Sequence, residues 1–219
     1  MTTTLSRVTV DPGIRTARKA LSSPAVLHAV VMKAFGDAAE AGRPLWRLDR
    51  GSEHHTLFLV GPGQPDTAHL EEQFGSPAAS IDSFSYARFL DGLAAGQEWR
   101  FRLRANPIKS LSQPGARSKR VPLITETDQL AWLIRQGKER GGFEIPTNRM
   151  EVPEVIIRSR GSDEFRRQNA TVTLGTVVFD GILHVTDPEQ LRTALTSGIG
   201  HGKAYGYGLL TLAPLSAPA

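Results

Sequence analysis

The stretch "EWRFRLRAN", residues 98–106, decides the fold, because it alternates strictly and opens the second half of the chain. Side chains two residues apart in a strand point to the same face, so this pattern predicts a β-strand with one apolar and one basic face. The apolar face holds Trp99, Phe101, Leu103 and Ala105, and the basic face holds Arg100, Arg102 and Arg104. The elements predicted after this strand show what kind of sheet it joins.

A helix, two strands, a second helix and a closing strand are predicted after it. These are "TETDQLAWLIRQG" (125–137), "VPEVIIRSR" (152–160), "ATVTLGTVVFD" (170–180), "DPEQLRTALTSG" (187–198) and "GYGLLTLAP" (206–214). Both helices begin at a capping residue, Thr125 or Asp187, and end at a glycine. The second half therefore has the order βαββαβ.

The first half has the same order of elements. They are "LSRVTV" (5–10), "SSPAVLHAVVMKAFGDA" (22–38), "PLWRLDR" (44–50), "HTLFLVG" (55–61), "PDTAHLEEQFG" (65–75) and "SIDSFSYARFL" (80–90). Two successive βαββαβ units predict an α+β protein of two tandem ferredoxin-like, or RRM-like, domains. We place the domains at residues 1–94 and 95–219.

Composition excludes several classes of function. The 219 residues include no cysteine, which excludes disulfides, thiolate catalysis and cysteine-ligated metals. The 26 basic and 22 acidic residues give a net charge of +4, which favours an anionic partner. The N-terminus lacks the apolar core of a signal peptide, and no apolar run approaches the roughly 20 residues of a membrane span. We expect a soluble, cytoplasmic protein without a membrane partner.

Two basic clusters predict a nucleic-acid interface. Three arginines on one strand face repel each other, and the strand contains no acid between them, so a phosphate backbone is a natural partner. Lys109, Arg117, Lys119 and Arg120 extend this cluster. The second cluster lies on the arms and tip of a predicted hairpin and comprises Arg158, Arg160, Arg166 and Arg167. A solvated sheet face and a solvated hairpin tip remain the alternatives.

The glycine-rich run "GIGHGKAYGYGLLTLAP", residues 198–214, lies between the last helix and the last strand. A dinucleotide-binding fingerprint would follow a strand and open a helix, so this order argues against a nucleotide-dependent enzyme. We interpret the run as a close-approach surface for an RNA backbone, in which Gly200 and Gly202 offer N–H groups and Lys203 adds charge. Tight packing of the C-terminal domain on its neighbour is the alternative.

His28 is the candidate acid–base residue. On an ideal helix it lies at the edge of the apolar stripe, where a side chain can be held by packing and still reach a substrate. Lys33 lies on the opposite flank, so helix geometry alone does not pair the two. None of the histidines has an H-x-x-x-H spacing, and we predict no metal site.

Several motifs together resemble the CasE family, the CRISPR repeat-RNA endoribonucleases of type I-E systems. They are "FRLRANPIKS" (101–110), "KRVPLI" (119–124), "LAWL" (130–133), "GIGHGKAYGYGLLTLAPL" (198–215) and "DPGIRTARKALSSPAVLHAVVMKAF" (11–35). The resemblance implies two ferredoxin-like domains and cleavage of the repeat stem-loop of precursor CRISPR RNA, without a metal or other cofactor. It further implies that the enzyme stays bound to the mature crRNA beside the other Cascade subunits.

The resemblance also assigns roles to residues. His28 falls on the catalytic histidine of the family, and Lys33 falls on a basic position that assists it in some members. Ala25 departs from the pattern, because members carry a tyrosine three residues before the histidine. Tyr205, Tyr207 and His201 of the glycine-rich run are candidates to replace that tyrosine. A non-catalytic RNA-binding subunit of the same fold is the alternative function.

Overall fold

The computed structural model of the protein describes residues 2–75, 81–113, 116–167 and 170–215, without the side chains of residues 112, 113, 116, 117 and 167. Its contacts divide the chain into two units. The first comprises Met1–Leu93 together with Lys203–Leu209, and the second comprises Ala94–Gly202 together with Leu210–Ala219. We call Lys203–Leu209 the strap. It belongs to the first unit, whereas the sequence placed the whole glycine-rich run in the second domain.

The first unit is built on a four-stranded antiparallel sheet. Its strands are β1 (Thr3–Val10), β2 (Leu45–Asp49), β3 (His55–Pro62) and β4 (Ile81–Ser85). They lie in the order β2-β3-β1-β4, so the first strand is central and the last strand pairs beside it. Alternation along β1 buries Val8 and Val10 on the face that carries the core.

Five helices accompany this sheet. They are α1 (Arg15–Leu21), α2 (Pro24–Phe35), α3 (Ala38–Ala41), α4 (Thr67–Phe74) and α5 (Ala87–Asp91). Helix α2 begins where the Ser23 hydroxyl accepts a hydrogen bond from the Ala25 N–H, with Pro24 in the first turn, and it ends at Gly36. Its apolar stripe is buried in the core, and the rest of the helix carries the candidate catalytic side chains.

The second unit repeats this architecture around a five-stranded sheet. Its strands are β5 (Glu98–Ala105), β8 (Phe143–Glu144), β9 (Val155–Arg167), β10 (Ala170–Val185) and β11 (Leu210–Ala213). The path β11-β5-β10-β8, with β9 also paired to β10, matches the strand order of the first unit. The remaining elements are the hairpin β6 (Ile108–Gln113) and β7 (Ala116–Pro122), helix α6 (Glu126–Gln136), a π-helical turn (Gly137–Gly141) and helix α7 (Pro188–Ser197).

The predicted α+β class and the two ferredoxin-like units are confirmed by this element order and by the strand orders. Several elements were missed, including the short helix α3 and the two-residue strand β8. Helix α1 has no side-chain cap, α5 is a short helix that follows β4 within a segment read as one strand, and the β6–β7 hairpin is too polar to show an apolar alternation. None of the helices in the described residues is both long and apolar enough to cross a membrane.

Candidate active site and nucleic-acid interface

His28 is half-buried on α2, directly beside the buried Leu27. Its Nδ1 atom is buried and makes no hydrogen bond, which leaves Nε2 as the ring nitrogen that can reach a substrate. Burial lowers the pKa of His28 from its ordinary value, and the nearby positive charge of Arg43 lowers it further.

Lys203 is brought into the same unit by the strap. Residues Lys203–Tyr205 form a 3₁₀ turn that packs against α2 and against β2. Lys203 is half-buried; burial lowers its pKa, and the charge of Arg43 lowers it further. Arg43 therefore lies within electrostatic reach of both His28 and Lys203, which assembles three basic side chains from distant parts of the sequence.

Two buried contacts hold the strap in place. A Cβ added to Gly206 would lie 2.7 Å from Cε3 of Trp46, and the φ of 79° at Gly206 lies in the left-handed region that favours glycine. The Nη1 atom of buried Arg47 donates to the Leu209 carbonyl at 3.3 Å. Arg47 is itself fixed by Asp49, whose carboxylate accepts from Nε at 2.8 Å and from Nη2 at 3.0 Å.

Lys33 lies on another side of α2, about 140° around the helix axis from His28. It lines a cavity of about 350 Å³ together with Thr16, Lys19 and Gln73, and His28 is not among the lining residues. The structure therefore does not bring Lys33 and His28 together. The role that the resemblance assigns to Lys33 stays a prediction.

The basic face of β5 carries acidic partners that sequence reasoning missed. Arg102 donates to both carboxylate oxygens of Asp180 at 2.6 Å, and Arg104 donates to Asp163 at 2.6 Å. Sequence reasoning considered acids only within the strand, and the carboxylates come instead from β10 and β9, 78 and 59 residues away in sequence. Arg100 is exposed and has no ion pair among the described residues.

This face stays positively charged in spite of its acids. Arg158, with 61% of its side chain exposed, reaches the same Asp180 at 3.8 Å, so two arginines share one carboxylate. Opposite Arg100 on β10 is Ile182, which adds an apolar surface to the charged one. An exposed sheet face of arginines and partly apolar side chains is suited to the backbone and bases of RNA.

The other predicted cations occupy the two hairpins of the second unit. Lys109, Lys119 and Arg120 are exposed on the β6–β7 hairpin and have no ion pair among the described residues. Arg160 pairs with Glu126 at 2.9 Å, and Arg166 is exposed and without an ion pair in the described part of the chain. The side chains of Arg117 and Arg167 lie outside the described residues.

Two glycines of the glycine-rich run, Gly200 and Gly206, pack closely against tryptophan rings. In the second unit, a Cβ on Gly200 would lie 2.9 Å from Cζ2 of Trp132, as one on Gly206 would meet Trp46 in the first. Gly202 has a φ of 85° and immediately precedes Lys203. Packing thus accounts for Gly200 and Gly206, and contact of Gly200 and Gly202 with RNA stays a prediction.

The candidate replacements for the family tyrosine are placed differently. Tyr207 is fully buried, so its hydroxyl is withdrawn from any RNA at the surface. Tyr205 is half-buried in the turn that packs against α2, and His201 is exposed in the second unit. Of these three residues, Tyr205 is therefore the one that is both partly exposed and close to α2, the helix that carries His28.

Arg43 is the functional candidate that sequence reasoning missed. It lies in the loop between α3 and β2, without a motif of its own, and only the three-dimensional contacts reveal its position. Within the ranges described above, no group of three or more histidine or acidic side chains is arranged to hold a metal ion.

This chain matches a known protein family along nearly its whole length. Residues 4–214 match the family described as CRISPR associated protein. CRISPR-associated endoribonuclease Cse3 of Thermus thermophilus is 34% identical over 219 residues, covering 96% of this chain and 99% of that protein. The Cascade subunit CasE of Escherichia coli is 30% identical over 199 residues, covering 78% of this chain and 94% of that protein.

Comparison of the folds shows the same family relationship. A solved structure of Thermus thermophilus Cse3, bound to an RNA representing a pre-cleavage complex, superposes with a TM-score of 0.83 at 36% identity, covering 98% of this chain and 100% of that chain. The resemblance inferred from the motifs is confirmed. With the family match along nearly its whole length, this chain belongs to the CasE family of CRISPR-associated proteins.

Proposed function

We propose that this protein is an endoribonuclease that cleaves the repeat stem-loop of precursor CRISPR RNA and remains bound to the mature crRNA. One observation carries the proposal. A half-buried histidine, His28, lies among basic side chains in a chain that is 34% identical, along 96% of its length, to a protein named as a CRISPR-associated endoribonuclease. The arrangement matches the needs of RNA cleavage, which requires proton transfer next to a negatively charged phosphate.

The reaction uses the RNA as its own nucleophile. The 2′-oxygen attacks the adjacent phosphorus, a 2′-O–P bond forms, and the P–O5′ bond breaks. The 2′-OH proton passes to a base, and the leaving 5′-oxygen takes a proton from an acid or from water. The products are a 2′,3′-cyclic phosphate, or the 3′-phosphate formed when water opens that ring, and a 5′-OH end. Because nucleophile and phosphate belong to the same nucleotide, proximity is built into the substrate and a metal ion is not required.

His28 acts as the general base in this scheme. A base must be neutral before it accepts a proton, and both burial of the ring and the charge of Arg43 favour the neutral imidazole near pH 7. Its Nε2 then receives the 2′-OH proton. Acid–base catalysis of this kind contributes roughly 10²- to 10⁴-fold to a rate.

The two units divide the work. The first unit, which includes the strap, carries His28, and the second unit supplies most of the RNA-binding surface. That surface comprises the β5 arginines, the exposed cations of the two hairpins, and Gly200 and Gly202 at the start of the glycine-rich run. Support comes from Arg100, which is exposed and has no ion pair in the described ranges, and from the sharing of Asp180 between Arg102 and Arg158.

The protein works in the cytoplasm, beside the other Cascade subunits. Support comes from its relative CasE of Escherichia coli, which is named as a subunit of the CRISPR system Cascade. Lys33 is retained as an assisting residue on the strength of the family resemblance. Lys33 and His28 lie on different sides of α2, so Lys33 can assist only if the bound RNA extends around the helix from His28 to Lys33.

A cleavage assay tests the proposal. A labelled CRISPR repeat RNA is incubated with excess enzyme in EDTA, and the single-turnover rate and the affinity are measured for wild type, His28→Ala and His54→Ala. His54 is an exposed histidine of the same unit and serves as the matched control. We expect wild type and His54→Ala to cleave alike and His28→Ala to be slower by roughly 10²-fold or more, with unchanged affinity.

Two results would contradict the proposal. If wild type binds the repeat tightly but never cuts it, the protein is a non-catalytic RNA-binding subunit. A strict requirement for Mg²⁺ would overturn the metal-independent mechanism.

A further inference from the structure

The basic side chains around His28 come from three separate elements of the first unit. His28 lies on α2, Arg43 lies two residues before β2, and Lys203 opens the strap. The turn that begins at Lys203 packs against both α2 and β2. Helix α2, the loop before β2 and the strap thus converge on one place, and each contributes one basic side chain.

The position of Lys203 is fixed by packing further along the strap. Gly206 abuts the ring of Trp46, Tyr207 is fully buried, and the carbonyl of Leu209 accepts a hydrogen bond from Arg47. The side chain of Lys203 therefore projects from a short turn whose following residues are anchored in the core. Such anchoring is what a catalytic group needs, since small displacements cost large factors in rate.

Arg43 adds a positive charge to this cluster. Arg43 is exposed and pairs with no carboxylate in the described part of the chain. Its positive charge opposes the charged forms of both His28 and Lys203, and burial acts in the same direction. Holding like charges together costs free energy, and an anion placed among them would recover it. In an RNA-cleaving site that anion is a phosphate.

We propose that Arg43 and Lys203 bind the non-bridging oxygens of the scissile phosphate beside His28 and stabilise the negative charge that these oxygens gain during attack. The proposal rests on the function proposed above and adds the residues that handle the phosphate. An arginine offers two parallel N–H donors to phosphate oxygens, and a lysine adds a compact charge. His28 takes the 2′-OH proton while the two cations hold the phosphorane.

This assignment gives the glycine-rich run a second purpose. Gly202 and Gly206, with φ values of 85° and 79°, let the chain turn sharply on either side of Lys203–Tyr205. The run thereby delivers Lys203 to the first unit. Lys33, in contrast, lines the cavity it shares with Lys19 on another side of α2.

The test compares Lys203→Ala, Lys203→Arg, Arg43→Ala and Arg43→Lys with wild type and with the control Lys19→Ala. Lys19 is an exposed lysine of the same unit outside the cluster. Single-turnover cleavage is measured at saturating enzyme, affinity is measured with a non-cleavable 2′-deoxy repeat RNA, and thermal unfolding verifies that each variant folds. We expect Lys203→Ala and Arg43→Ala each to slow cleavage by roughly 10²- to 10³-fold, the usual effect of removing one transition-state donor, while affinity falls only a few-fold.

The charge-conserving variants distinguish a catalytic role of these two side chains from a purely structural one. Lys203→Arg and Arg43→Lys keep the charge, so we expect each to recover most of the lost rate, and Lys19→Ala to cleave like wild type. The proposal is overturned if Lys203→Ala or Arg43→Ala cleaves at the wild-type rate. It is also overturned if the rate falls only in proportion to affinity, or if the charge-conserving variants are as slow as the alanine variants. A wild-type enzyme that does not cleave would instead refute the proposed function itself.

Discussion

Replacing Gly206 by alanine tests how the strap is held against the first unit. The added Cβ would lie 2.7 Å from Cε3 and 2.8 Å from Cη2 of Trp46, closer than real Cβ contacts occur. Trp46 is itself almost fully buried, so its ring has little room to withdraw. Overpacking of this kind costs about 1–3 kcal/mol, and a left-handed φ adds about 1–2 kcal/mol for a non-glycine residue.

Gly63→Ala is the matched control. Gly63 lies in the same unit and has a φ of 73°, close to the 79° of Gly206, but a Cβ there would meet only the Ala38 Cβ at an ordinary 3.8 Å. Both variants carry a similar free-energy cost for a left-handed φ at a non-glycine residue. The difference between their free energies of unfolding therefore measures the clash with Trp46. We expect Gly206→Ala to be less stable than Gly63→Ala by about 1–3 kcal/mol, which lowers its Tm by roughly a further 2–12 °C.

Thermal unfolding followed by scanning calorimetry measures this difference. Single-turnover cleavage, measured well below both Tm values, gives the functional consequence. Because the strap carries Lys203, Gly206→Ala should also cleave more slowly than Gly63→Ala. If the two variants unfold within about 1 °C of each other, the packing of Trp46 on Gly206 does not hold the strap and the reasoning fails.

Two further predictions concern protonation and RNA affinity. With His28 as base, the single-turnover rate should rise with pH, and the midpoint of the rise should lie below pH ~6.5, since the pKa of His28 is lowered; Arg43→Ala should move the midpoint to higher pH, and a rate that instead falls across this range would assign His28 the acid role. Arg100→Ala should weaken RNA binding and reduce the salt slope by about 0.9. Arg102→Ala should weaken binding more, because it also strips Asp180 of its main partner, and adding Asp180→Asn should restore part of the loss; equal affinities for Arg100→Ala, Arg102→Ala and wild type would exclude this face from RNA binding.

Local patterns were sufficient to predict most of the fold. The alternation of β5, the serine cap and proline of α2 and the aspartate cap of α7 are short-range signals, and each marked a real element. The β6–β7 hairpin escaped prediction because its strands are polar and bury little. An exposed ribbon leaves no hydrophobic pattern to detect.

The site was harder to predict because its parts meet only in three dimensions. His28 was identified from its place at the edge of a helical stripe and from the family resemblance. Arg43 carries no motif, and Lys203 was expected in the second domain, although the strap places it in the first unit. The carboxylates that pair with Arg102 and Arg104 could likewise not be predicted from the sequence of β5, because they lie on other strands of the sheet.

Cleavage of a repeat RNA with a single 2′-deoxy nucleotide just 5′ of the mapped scissile phosphate tests the central claim most directly. The substitution removes one hydroxyl and leaves every phosphate in place, so binding should be preserved. We predict that the deoxy RNA is bound with the affinity of the unmodified repeat and is not cut, while the unmodified repeat is cut in EDTA. Cleavage of the deoxy RNA at the same bond would contradict attack by the 2′-OH, and with it the role of His28 as the base that activates it.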